Sequence, residues 1–549
     1  MSFNHWELFN AIATAIPDRL AITHGNKRLS YRDLRERSIK LASYLSENGV
    51  KKPQPALNGW ESGQDHIGLY LYNGNEYIEG TFGSYATRAA PFNINYKYTS
   101  DELAYLLNDA KPFAILFHSS FSHILSKALK NTDIKPLLLC VRENSSDCLI
   151  ENAVDYEDAL LSVPNIDLSL LEERVGKPDP TDLYILYTGG TTGRPKGTLW
   201  HQKDIYEASM KVFATRLGIA PTSIEAIQNG TVNAGRVVSM PLPPFMHGAS
   251  QWVALGNLLA GFTIALPDDV KRFDAADFWR TVEREKVEST VIVGDAFARP
   301  LCEELEKNQY DTSSLMFIAT GGAITTKEVK ARLLKHLPNT IIADVGGSSE
   351  SGAILTNISR NENEVDTGKF YPNPGTIVVD EAFENILDKG HDGIGWLAKM
   401  SPIPLGYLND PEKSMKTFIK IGNEKVAILG DRARLLENGQ VELLGRESAT
   451  INTGGEKVFA EEVESAIVLH PEIVDAVVVG IPNERWGSQV CAVIELRENP
   501  SVTDNEIVEF LSCSLAKFKV PKKIVRVHKI KRSPAGKADY TWARKISNE

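Results

Sequence analysis

The chain has 549 residues, of which 42% are hydrophobic and 24% charged, and it is too long for one compact core, so two or more domains are expected. The formal charge of −11 argues against a general nucleic-acid-binding protein, and the absence of any stretch of about 18 apolar residues predicts that the chain does not span a membrane. Five cysteines without a paired C-x-x-C pattern, and a start without a basic region followed by an apolar run, predict a reducing, cytoplasmic location.

Residues 1 to about 175 alternate helical and strand-like segments. Residues 99–102 (TSDE) form a capping box, and leucines follow at helical spacing. Residues 112–117 (PFAILF) then predict a buried strand. A helix followed by a buried strand, repeated along the chain, indicates parallel sheets covered by helices.

An apolar run at residues 183–187 (LYILY) leads into a loop of glycines, threonines and basic residues at positions 188–197 (TGGTTGRPKG). Glycines let backbone N–H groups approach phosphate oxygens, threonine hydroxyls donate further hydrogen bonds, and Lys196 adds positive charge. The spacing differs from the Walker A pattern because no Gly-Lys-Ser/Thr follows Gly193. A glycine-rich surface turn with one basic residue is the alternative, but the density of hydroxyls and the later motifs favour nucleotide binding.

Later apolar runs also end in small or polar residues. Residues 237–246 run into prolines before His247, which we expect to line a pocket because ligands collect at the carboxyl ends of strands in α/β sheets. Residues 290–296 (TVIVGDA) and 316–323 (MFIATGGA) are two more predicted strands, whose small terminal residues allow either close helix packing or room for a ligand. Residues 341–352 (IIADVGGSSESG) contain Glu350, which either holds a hard cation on phosphates or simply begins a helix.

The dipeptide Asn438-Gly439 between strand-like runs predicts a β-hairpin. Asp431 and Arg446 stand at the outer ends of this hairpin and are therefore expected to lie near each other. One interpretation is that the side chains of Asp431 and Arg446 form an ordinary salt bridge that stabilises the hairpin. This interpretation is compatible with a role of the same two residues in ligand binding.

The last part of the chain combines a predicted helix at residues 460–467, a predicted strand at 474–479 and a basic tail. From residue 521 to 549, nine Lys or Arg accompany two Asp or Glu. This tail is a solvated face, a site that attracts the phosphates of CoA or ATP, or a contact for anionic lipid. Within it, proline and glycine at residues 533–540 (SPAGKADY) hold a tight loop from which Lys537 projects.

Together, the loop at 188–197, the segment around Glu350, the hairpin and the SPAGKADY ending resemble the adenylate-forming superfamily of acyl-CoA synthetases, peptide-synthetase adenylation domains and luciferases. Within it, the chain is most similar to bacterial fatty-acyl-CoA ligases and to the branch that acts on bulky or steroid-derived acids. The resemblance implies a multidomain α/β fold. Residues 1–446 would form a large N-terminal domain of stacked α/β sheets with a β-barrel-like subdomain, and residues 447–549 a small mobile α+β domain.

The resemblance also implies roles for individual residues. His247 would lie beside the acyl carboxylate, Glu350 would bind Mg²⁺, and Lys537 would reach the α-phosphate, with Thr191 as a further catalytic residue. Asp431 would accept the ribose hydroxyls, with Arg446 beside it. The remaining residues expected to contact the nucleotide, its phosphates or the thiol arm of coenzyme A are Thr188, Gly189, Gly190, Thr192, Gly193, Lys196, Gly322, Ala323, Asp344, Gly347, Ser348, Ser349, Gly454 and Gly455.

Three positions depart from the pattern of the superfamily. Gly346 replaces an aromatic residue that would stack on adenine, an interaction of roughly 0.5–1.5 kcal/mol for an aromatic pair. Ser349 replaces threonine and keeps the hydroxyl. Ser448 replaces the aspartate or lysine usual at the hinge between the two domains.

The expected reaction joins a medium-chain, long-chain or bulky carboxylic acid to coenzyme A at the expense of ATP, with Mg²⁺. The acid carboxylate attacks the α-phosphate to give an acyl-adenylate and pyrophosphate, and the thiol then displaces AMP. Two alternatives remain: an adenylating enzyme that loads a carrier-protein phosphopantetheine, and a non-catalytic nucleotide-binding relative. The expected partners are small molecules and no nucleic acid, with a homodimer and a peripheral membrane contact as further hypotheses.

Overall fold

The computed structural model describes residues 3–143, 150–164, 167–189, 194–322, 325, 327–365, 369–446, 450–497, 502–531 and 540–548. In this part of the chain, every helix is too short or too polar to cross a lipid bilayer.

The first part of the chain alternates helices with short strands, as the sequence predicts. A 3₁₀ turn at Ser119–Phe121 precedes the fifth helix. The elements in chain order are α1 (His5–Ala15), β1 (Leu20–His24), β2 (Lys27–Ser30), α2 (Tyr31–Glu47), β3 (His66–Tyr70), α3 (Asn75–Ala86), β4 (Ala90–Asn93), α4 (Ser100–Ala110), β5 (Ala114–His118), α5 (Ser122–Leu129), β6 (Leu137–Val141), β7 (Val154–Asp155), α6 (Tyr156–Leu161), α7 (Leu168–Val175) and β8 (Leu183–Gly189).

The middle of the chain continues the same alternation. A π-helical turn at Tyr206–Met210 separates its first two helices. The elements are β9 (Pro195–His201), α8 (Gln202–Ile205), α9 (Lys211–Arg216), α10 (Ile224–Ala234), β10 (Val238–Pro241), α11 (Gly248–Leu258), β11 (Thr263–Leu266), α12 (Ala275–Glu285), β12 (Ser289–Ile292), α13 (Gly294–Lys307), β13 (Phe317–Gly321), α14 (Lys327–His336), β14 (Ile341–Ser348) and β15 (Gly352–Ser359).

The remaining elements are mostly antiparallel strands. They are β16 (Lys369–Pro372), β17 (Thr376–Val379), β18 (Gly395–Met400), β19 (Gly406–Tyr407), α15 (Pro411–Thr417), β20 (Phe418–Ile421), β21 (Glu424–Leu435), β22 (Val441–Arg446), β23 (Thr450–Thr453), β24 (Glu456–Phe459), α16 (Ala460–Ile467), β25 (Ile473–Asn483), β26 (Gly487–Leu496), α17 (Asp504–Ser512), β27 (Lys523–Val527) and α18 (Tyr540–Asn548).

Two large sheets organise the described part of the chain up to β22. One has the strand order β19-β9-β8-β4-β3-β5-β6-β7, and its strands β8, β4, β3, β5 and β6 run parallel. The other contains the parallel series β1-β11-β10-β12-β13-β14 and continues through the antiparallel strands β15, β16, β22, β21, β18 and β17. Strands β3, β4, β10 and β11 are buried along their whole length because helices and the other sheet cover both faces, whereas β13 and β14 are partly exposed.

The two large sheets share a hydrophobic core. It joins Leu69 of the first sheet to Ile22 and Ile264 of the second, and the helices α1, α2, α3 and α11 pack into it. Trp200 on β9 is fully buried in this core, and its indole N–H donates to the backbone oxygen of Ser349 at 2.8 Å. The core therefore fixes the end of one sheet against the loop after β14 of the other.

The residues after β22 form separate sheets with their own cores. Strands β25, β26 and β27 make a three-stranded sheet, and β23 and β24 make a hairpin. Helices α16 and α17 cover one face of the three-stranded sheet, and α18 covers the other. The helix predicted at residues 460–467 is observed with the same bounds, whereas the strand predicted at 474–479 extends over Ile473–Asn483.

Local sequence signals explain several element boundaries. Thr99 accepts from the backbone N–H of Glu102, and the Glu102 side chain accepts from the Thr99 N–H, which is the predicted capping box at the start of α4. The turn at Gly439 joins β21 to β22 as the Asn-Gly signal predicts. The predicted mixed α/β multidomain fold is confirmed by this architecture. The boundary proposed at residues 446 and 447 stays a prediction, because residues 447–449 lie outside the described part.

Candidate functional site

Two loops far apart in sequence meet where β8 and β14 end. The Thr188 hydroxyl, near the end of β8, lies 3.0 Å from the Ser349 hydroxyl, just after β14. Their strands belong to different sheets, so the contact closes the gap between the sheets above the shared core. Thr188, Ser348 and Ser349 line one cavity of about 1500 Å³. Hydroxyls at the ends of two strands are well placed to donate to phosphate oxygens.

Much of the predicted phosphate loop cannot be placed against this pair of hydroxyls. Gly190, Thr191, Thr192 and Gly193 lie outside the described residues. The backbone of Gly189 pairs with Pro195 at the end of the β8–β9 hairpin.

The turn after β14 is held by serine side chains. The Ser348 hydroxyl lies 3.1 Å from that of Ser351 and accepts from the backbone N–H of Glu350 at 3.2 Å. Both Ser348 and Ser349 are largely buried. These hydrogen bonds fix the backbone of the turn that carries Glu350.

Lys196 belongs to a cluster of charges beside this turn. Its ammonium lies 3.0 Å from the Asp410 carboxylate, and both Lys196 and Lys413 lie over the ring of Tyr407, at 5.7 and 5.4 Å from its centroid. The Tyr407 hydroxyl donates to Glu350 at 2.7 Å. Burial, together with the neighbouring Lys196, lowers the pKa of Lys413 to about 8. Two ammonium groups beside one carboxylate-bearing turn form a favourable place for a polyphosphate.

Tyr407, Asp410 and Lys413 were not predicted from the sequence to lie in this cluster. Asp410 accepts from the backbone N–H of Lys413 at 3.0 Å and caps α15, and Pro411 occupies the first turn of that helix. This Asp-Pro helix start was the available signal, although it indicates only a helix and not the proximity of Lys196.

Glu350 fits the chemistry of a Mg²⁺ ligand. Its carboxylate is half-buried, accepts a hydrogen bond from the Tyr407 hydroxyl and lies at the turn that carries Ser349. Mg²⁺ in proteins is commonly held by one or two carboxylates while keeping water and phosphate oxygens as its other ligands. A single carboxylate on a turn that also carries the Ser348 and Ser349 hydroxyls therefore suits this ion.

On the side predicted for adenine, Asp344 is paired with a buried lysine. The ammonium of Lys330 on α14 donates to Asp344 at 2.6 Å. Burial raises the pKa of Asp344, and Lys330 opposes that effect. Gly322 and Gly347 line the cavity, whereas Ala323 lies outside the described residues. Gly346 pairs with Leu355, so the position where an aromatic residue was expected is part of the β14–β15 ladder.

The β21–β22 hairpin pairs the backbones of Asp431 and Arg446, as its Asn-Gly turn predicts. The Arg446 side chain is outside the described part of the structure. Asp431 is not among the residues described as lining the cavity, so its proposed ribose contact rests on the sequence resemblance.

His247 lines the same cavity and lies directly before α11, and Asn93 links its loop to the end of β8 by donating to the backbone oxygens of both Met246 and Tyr187. The loop that carries it follows β10, so its position at the carboxyl end of a parallel strand agrees with the prediction. Its Nε2 lies 3.2 Å from the carboxylate of Glu456, and the ammonium of Lys97 donates to the same oxygen at 2.7 Å. Although burial opposes it, His247 and Lys97 hold the pKa of Glu456 well below its ordinary value.

This contact brings the β23–β24 hairpin into the cavity. Gly454 and Gly455, at the tip of the hairpin, line the cavity next to Glu456. Both have positive φ, +57° and +84°, and a Cβ on Gly455 would lie 2.8 Å from the Cγ1 of Val293. The backbone N–H of Gly454 donates to Trp486 at 3.0 Å. The hairpin therefore reaches into the cavity as bare backbone, which leaves room for a narrow chain to pass.

Lys537 lies outside the described residues, so its predicted role rests on the sequence resemblance. What the described residues bring together around one cavity is the hydroxyls of Thr188 and Ser349, the ring of His247 and the glycine tip of the β23–β24 hairpin. Such an arrangement can hold a polyphosphate, an acid and a slender third group at the same time.

Two protein-family models match this chain. Residues 9–402 match the family model of AMP-binding enzymes, and residues 462–537 match that of the AMP-binding enzyme C-terminal domain. The medium-chain acyl-CoA ligase Mig of Mycobacterium avium is 45% identical over 536 residues, covering 97% of this chain and 96% of that protein. The 3-oxocholest-4-en-26-oate–CoA ligase of Rhodococcus rhodochrous is 34% identical over 559 residues, covering 99% of this chain and 96% of that protein.

Among solved structures, the amide bond synthetase McbA from Marinactinospora thermotolerans has the same fold, with a TM-score of 0.77 over 100% of this chain and 99% of that chain, at 19% identity. The predicted resemblance is therefore confirmed, and the chain belongs to the family of AMP-binding enzymes.

Proposed function

We propose that the protein is an ATP-dependent acid–CoA ligase that forms an acyl-adenylate and converts it to an acyl-CoA thioester. The observation that carries this proposal is that the hydroxyls of Thr188 and Ser349, the ring of His247 and the bare backbone of Gly454 and Gly455 line one cavity. The nucleotide phosphates would contact the hydroxyls, the acid would lie beside His247, and the thiol arm would pass the glycine backbone. The names of the two relatives above, both CoA ligases, support the same conclusion.

In the first half-reaction, an oxygen of the acid carboxylate bonds to the α-phosphorus while the bond to pyrophosphate breaks. The protein needs no nucleophile of its own, because the substrate carboxylate attacks, so its contribution is positioning and charge neutralisation. Thr188, Ser349 and Lys196 would hold the phosphates, with Lys413 as a second cation beside Lys196. Lys537 would neutralise charge at the reacting phosphate.

Glu350 would hold Mg²⁺ at the turn between β14 and β15. When bound, the ion would neutralise charge on the phosphate oxygens. The hydrogen bond from Tyr407 orients the Glu350 carboxylate, and the serines of the turn fix its backbone.

In the second half-reaction, the sulfur of coenzyme A bonds to the acyl carbon, the bond to AMP breaks and the thiol proton is lost. The β23–β24 hairpin would guide the thiol arm, because its tip carries no side chain on Gly454 and Gly455. The contacts of Glu456 with His247 and Lys97 would hold this hairpin against the acyl side of the cavity.

The substrate would be a medium-chain, long-chain or bulky carboxylic acid. One relative is named for medium-chain acids and another for 3-oxocholest-4-en-26-oate. A cavity of about 1500 Å³, shared with the nucleotide and the thiol arm, leaves space for an acid of this size.

The division of labour between the two half-reactions can be tested with Lys537→Ala. We expect adenylate formation, measured as ATP–pyrophosphate exchange with a panel of acids, to fall at least about 100-fold, because electrostatic stabilisation at the transferring group is lost. Thioesterification of preformed acyl-adenylate should be retained. Lys529→Ala, a substitution of an exposed lysine in the same basic segment, is the matched control and should leave both half-reactions unchanged.

Equal loss of both half-reactions in Lys537→Ala would refute this division. Absence of exchange with every acid in the wild-type protein would indicate a non-catalytic nucleotide-binding protein. Failure of free coenzyme A to discharge the adenylate would indicate transfer to a carrier protein instead.

A cytoplasmic location and a homodimer complete the proposal. Cys302 and Cys491 are buried free thiols and Cys513 is an exposed one, which suits a reducing compartment. Light scattering on the purified protein, which measures its mass in solution, tests the homodimer.

A further inference from the structure

Part of the cavity runs along the strands β12 and β13. Residues of both strands line it over their whole length, from Ser289–Ile292 on β12 and from Phe317 to Gly321 on β13. The two strands are parallel neighbours in one sheet. Helices α9 and α11 line the same part of the cavity with the side chains of Phe213 and Trp252. We call the space between these two strands and two helices the channel.

One end of the channel lies at the carboxyl ends of β12 and β13, beside the glycine hairpin. Val293, just after β12, is the residue that a Cβ on Gly455 would meet at 2.8 Å. A Cβ on Gly322, just after β13, would also lie 3.7 Å from Val293. His247 lines the same cavity directly before α11. Under the proposed function the thiol arm passes Gly455, so the acyl carbon that it attacks lies at this end of the channel.

The other end of the channel lies at the start of the same two strands. Phe317 begins β13 and pairs with Ser289, which begins β12. Because a strand rises about 3.3 Å per residue, Phe317 lies roughly 13 Å from Gly321 at the end of β13. On the next strand, Phe317 pairs with Ile341, and Ser348 lies seven residues further along β14. Phe317 is therefore remote from both the glycine hairpin and the turn after β14.

Helix α9 leads in the same direction as an independent measure. Just before it, the Ser209 hydroxyl accepts from the backbone N–H of Ala353 at 3.3 Å, which places this point beside the turn after β14. Arg216, the last residue of α9, lies seven residues further on, roughly 10 Å at about 1.5 Å per residue. Its guanidinium carbon lies 4.1 Å from the centroid of the Phe317 ring. The helix and the strand therefore reach the same far end.

Arg216 closes the far end of the channel with its guanidinium. The group lies over the Phe317 ring and 5.7 Å from the centroid of the Phe213 ring, so it connects the helix to the strand across the opening. Arg216 is exposed, and no carboxylate in the described part of the chain forms an ion pair with it. Stacking of a cation on an aromatic ring at an exposed site is weak, so a ligand can displace the guanidinium at small cost.

The width of the channel next to Arg216 depends on a glycine of α11. Phe213 lines the channel and packs against Gly256, where a Cβ would lie 2.7 Å from the Cε2 atom of the Phe213 ring. The backbone of Met210 would lie 3.2 Å from the same Cβ, so a side chain at this position has no free space beside the ring. A methyl group on Gly256 would therefore push the Phe213 ring towards the channel.

We propose that Arg216, stacked on Phe317, closes the far end of the channel and limits the length of the acid that binds wholly inside it. An extended chain advances roughly 1.2 Å per bond, which is the rise per residue divided among three backbone bonds, so about 13 Å accommodates about ten carbons. A longer acid must displace the Arg216 guanidinium and extend into solvent. Arg216 and Phe317 are then specificity-determining residues, and this inference rests on the proposed function because it assigns the acid to this cavity.

The test measures how affinity depends on the length of straight-chain saturated acids, at concentrations at which each acid is monomeric. Binding to the full-length protein is measured by calorimetry, and turnover by acyl-CoA formation. We expect affinity to rise about fourfold for each added methylene, because each one is buried in the channel. The rise should stop at about ten carbons, where the chain reaches Arg216.

The variant Arg216→Ala removes the guanidinium and opens the far end. We expect the limit to move to longer acids, so that an acid two carbons beyond the wild-type limit binds about tenfold more tightly than it binds to the wild type. Short acids should bind equally to both proteins. Arg280→Ala, at an exposed arginine on α12 that is not among the residues described as lining the cavity, is the control and should keep the wild-type limit.

The variant Gly256→Ala should act in the opposite direction. We expect the displaced Phe213 ring to move the limit to shorter acids, so that an acid at the wild-type limit binds about tenfold more weakly. Gly80→Ala is the matched control, because a Cβ there would also meet a buried side chain, Leu69 at 2.7 Å, but within α3 and away from the channel. It should leave the dependence on acid length unchanged.

Affinity that continues to rise with length well beyond ten carbons in the wild type would overturn the inference, whatever the variants do. An identical limit in wild type and Arg216→Ala would overturn it as well. A limit in binding that moves in Arg216→Ala, without turnover of any acid, would support the role of Arg216 and refute the ligase function. Turnover of acids without any limit on length would do the reverse.

Discussion

Lys413 is a side chain outside any recognised motif that joins the charged cluster of Lys196, Asp410 and Glu350. It lies over the Tyr407 ring beside Lys196, and the two ammonium groups share the neighbourhood of Asp410 and Glu350. Burial and repulsion by Lys196 lower its pKa to about 8. A bound polyphosphate favours the charged form of Lys413 and should raise that pKa again.

ATP binding should therefore depend on pH through Lys413. Below pH 8 the ammonium is already present, so binding is tight; above it, binding must first take up a proton, so the KM for ATP should rise as the pH increases from 7 to 9. Lys413→Met should flatten this rise and increase the KM at pH 7 about tenfold. Lys416→Met, at an exposed lysine on the same helix, is the control, and a pH profile identical in wild type and Lys413→Met would contradict the prediction.

At the scale of the element, the β23–β24 hairpin depends on two glycines in left-handed conformations at its tip. Gly454 and Gly455 have φ of +57° and +84°, and Gly455 approaches Val293 as closely as a glycine allows. A side chain at this point would both strain the backbone and fill the space next to Glu456.

Gly455→Ala should slow thioesterification of a preformed acyl-adenylate at least about tenfold, because its Cβ would lie 2.8 Å from Val293 and push the hairpin from the cavity. Adenylate formation should change little. Gly439→Ala is a matched control: its φ is +81°, but a Cβ there would meet only the flexible end of Lys389, at 3.4 Å. Equal effects of the two substitutions on thioesterification would show that backbone strain alone is responsible.

At the scale of the whole molecule, ion pairs join the segment after β22 to the rest of the chain. Lys519 is 4% exposed and lies 2.6 Å from Glu102 on α4 and 2.7 Å from Glu462 on α16. Although burial opposes it, these two carboxylates raise the pKa of Lys519. Glu102 also closes the capping box of α4, so the junction is built on a well-fixed helix start.

Lys519→Met should weaken this junction, because it leaves two carboxylates near each other without their cation. Loss of one partner from a buried pair costs about 3–5 kcal/mol. The variant should show a larger radius of gyration by small-angle scattering, and Lys519→Met combined with Glu102→Gln should recover part of the difference. Arg526→Met breaks an exposed ion pair with Asp504 within the C-terminal segment and should leave the radius unchanged. An unaltered radius in Lys519→Met would show that the junction does not depend on this pair.

The sequence by itself determined the elements whose signals are local. The capping box at Thr99, the Asn-Gly turn at Gly439 and the helix at residues 460–467 are found where the pattern places them. The two hydroxyl-bearing loops were also identified from sequence, because glycine, serine and threonine at the end of an apolar strand have a chemistry that needs no partner to be recognised.

Only the tertiary structure decided which side chains face each other. Lys330 and Lys413 are indistinguishable in the sequence from exposed lysines, yet one pairs with Asp344 and the other lies beside Lys196. Glu456 meets His247 across 209 residues of chain. The physical reason is that hydrogen bonding within a turn or cap depends on residues a few positions apart, whereas burial and ion pairing depend on how distant elements pack.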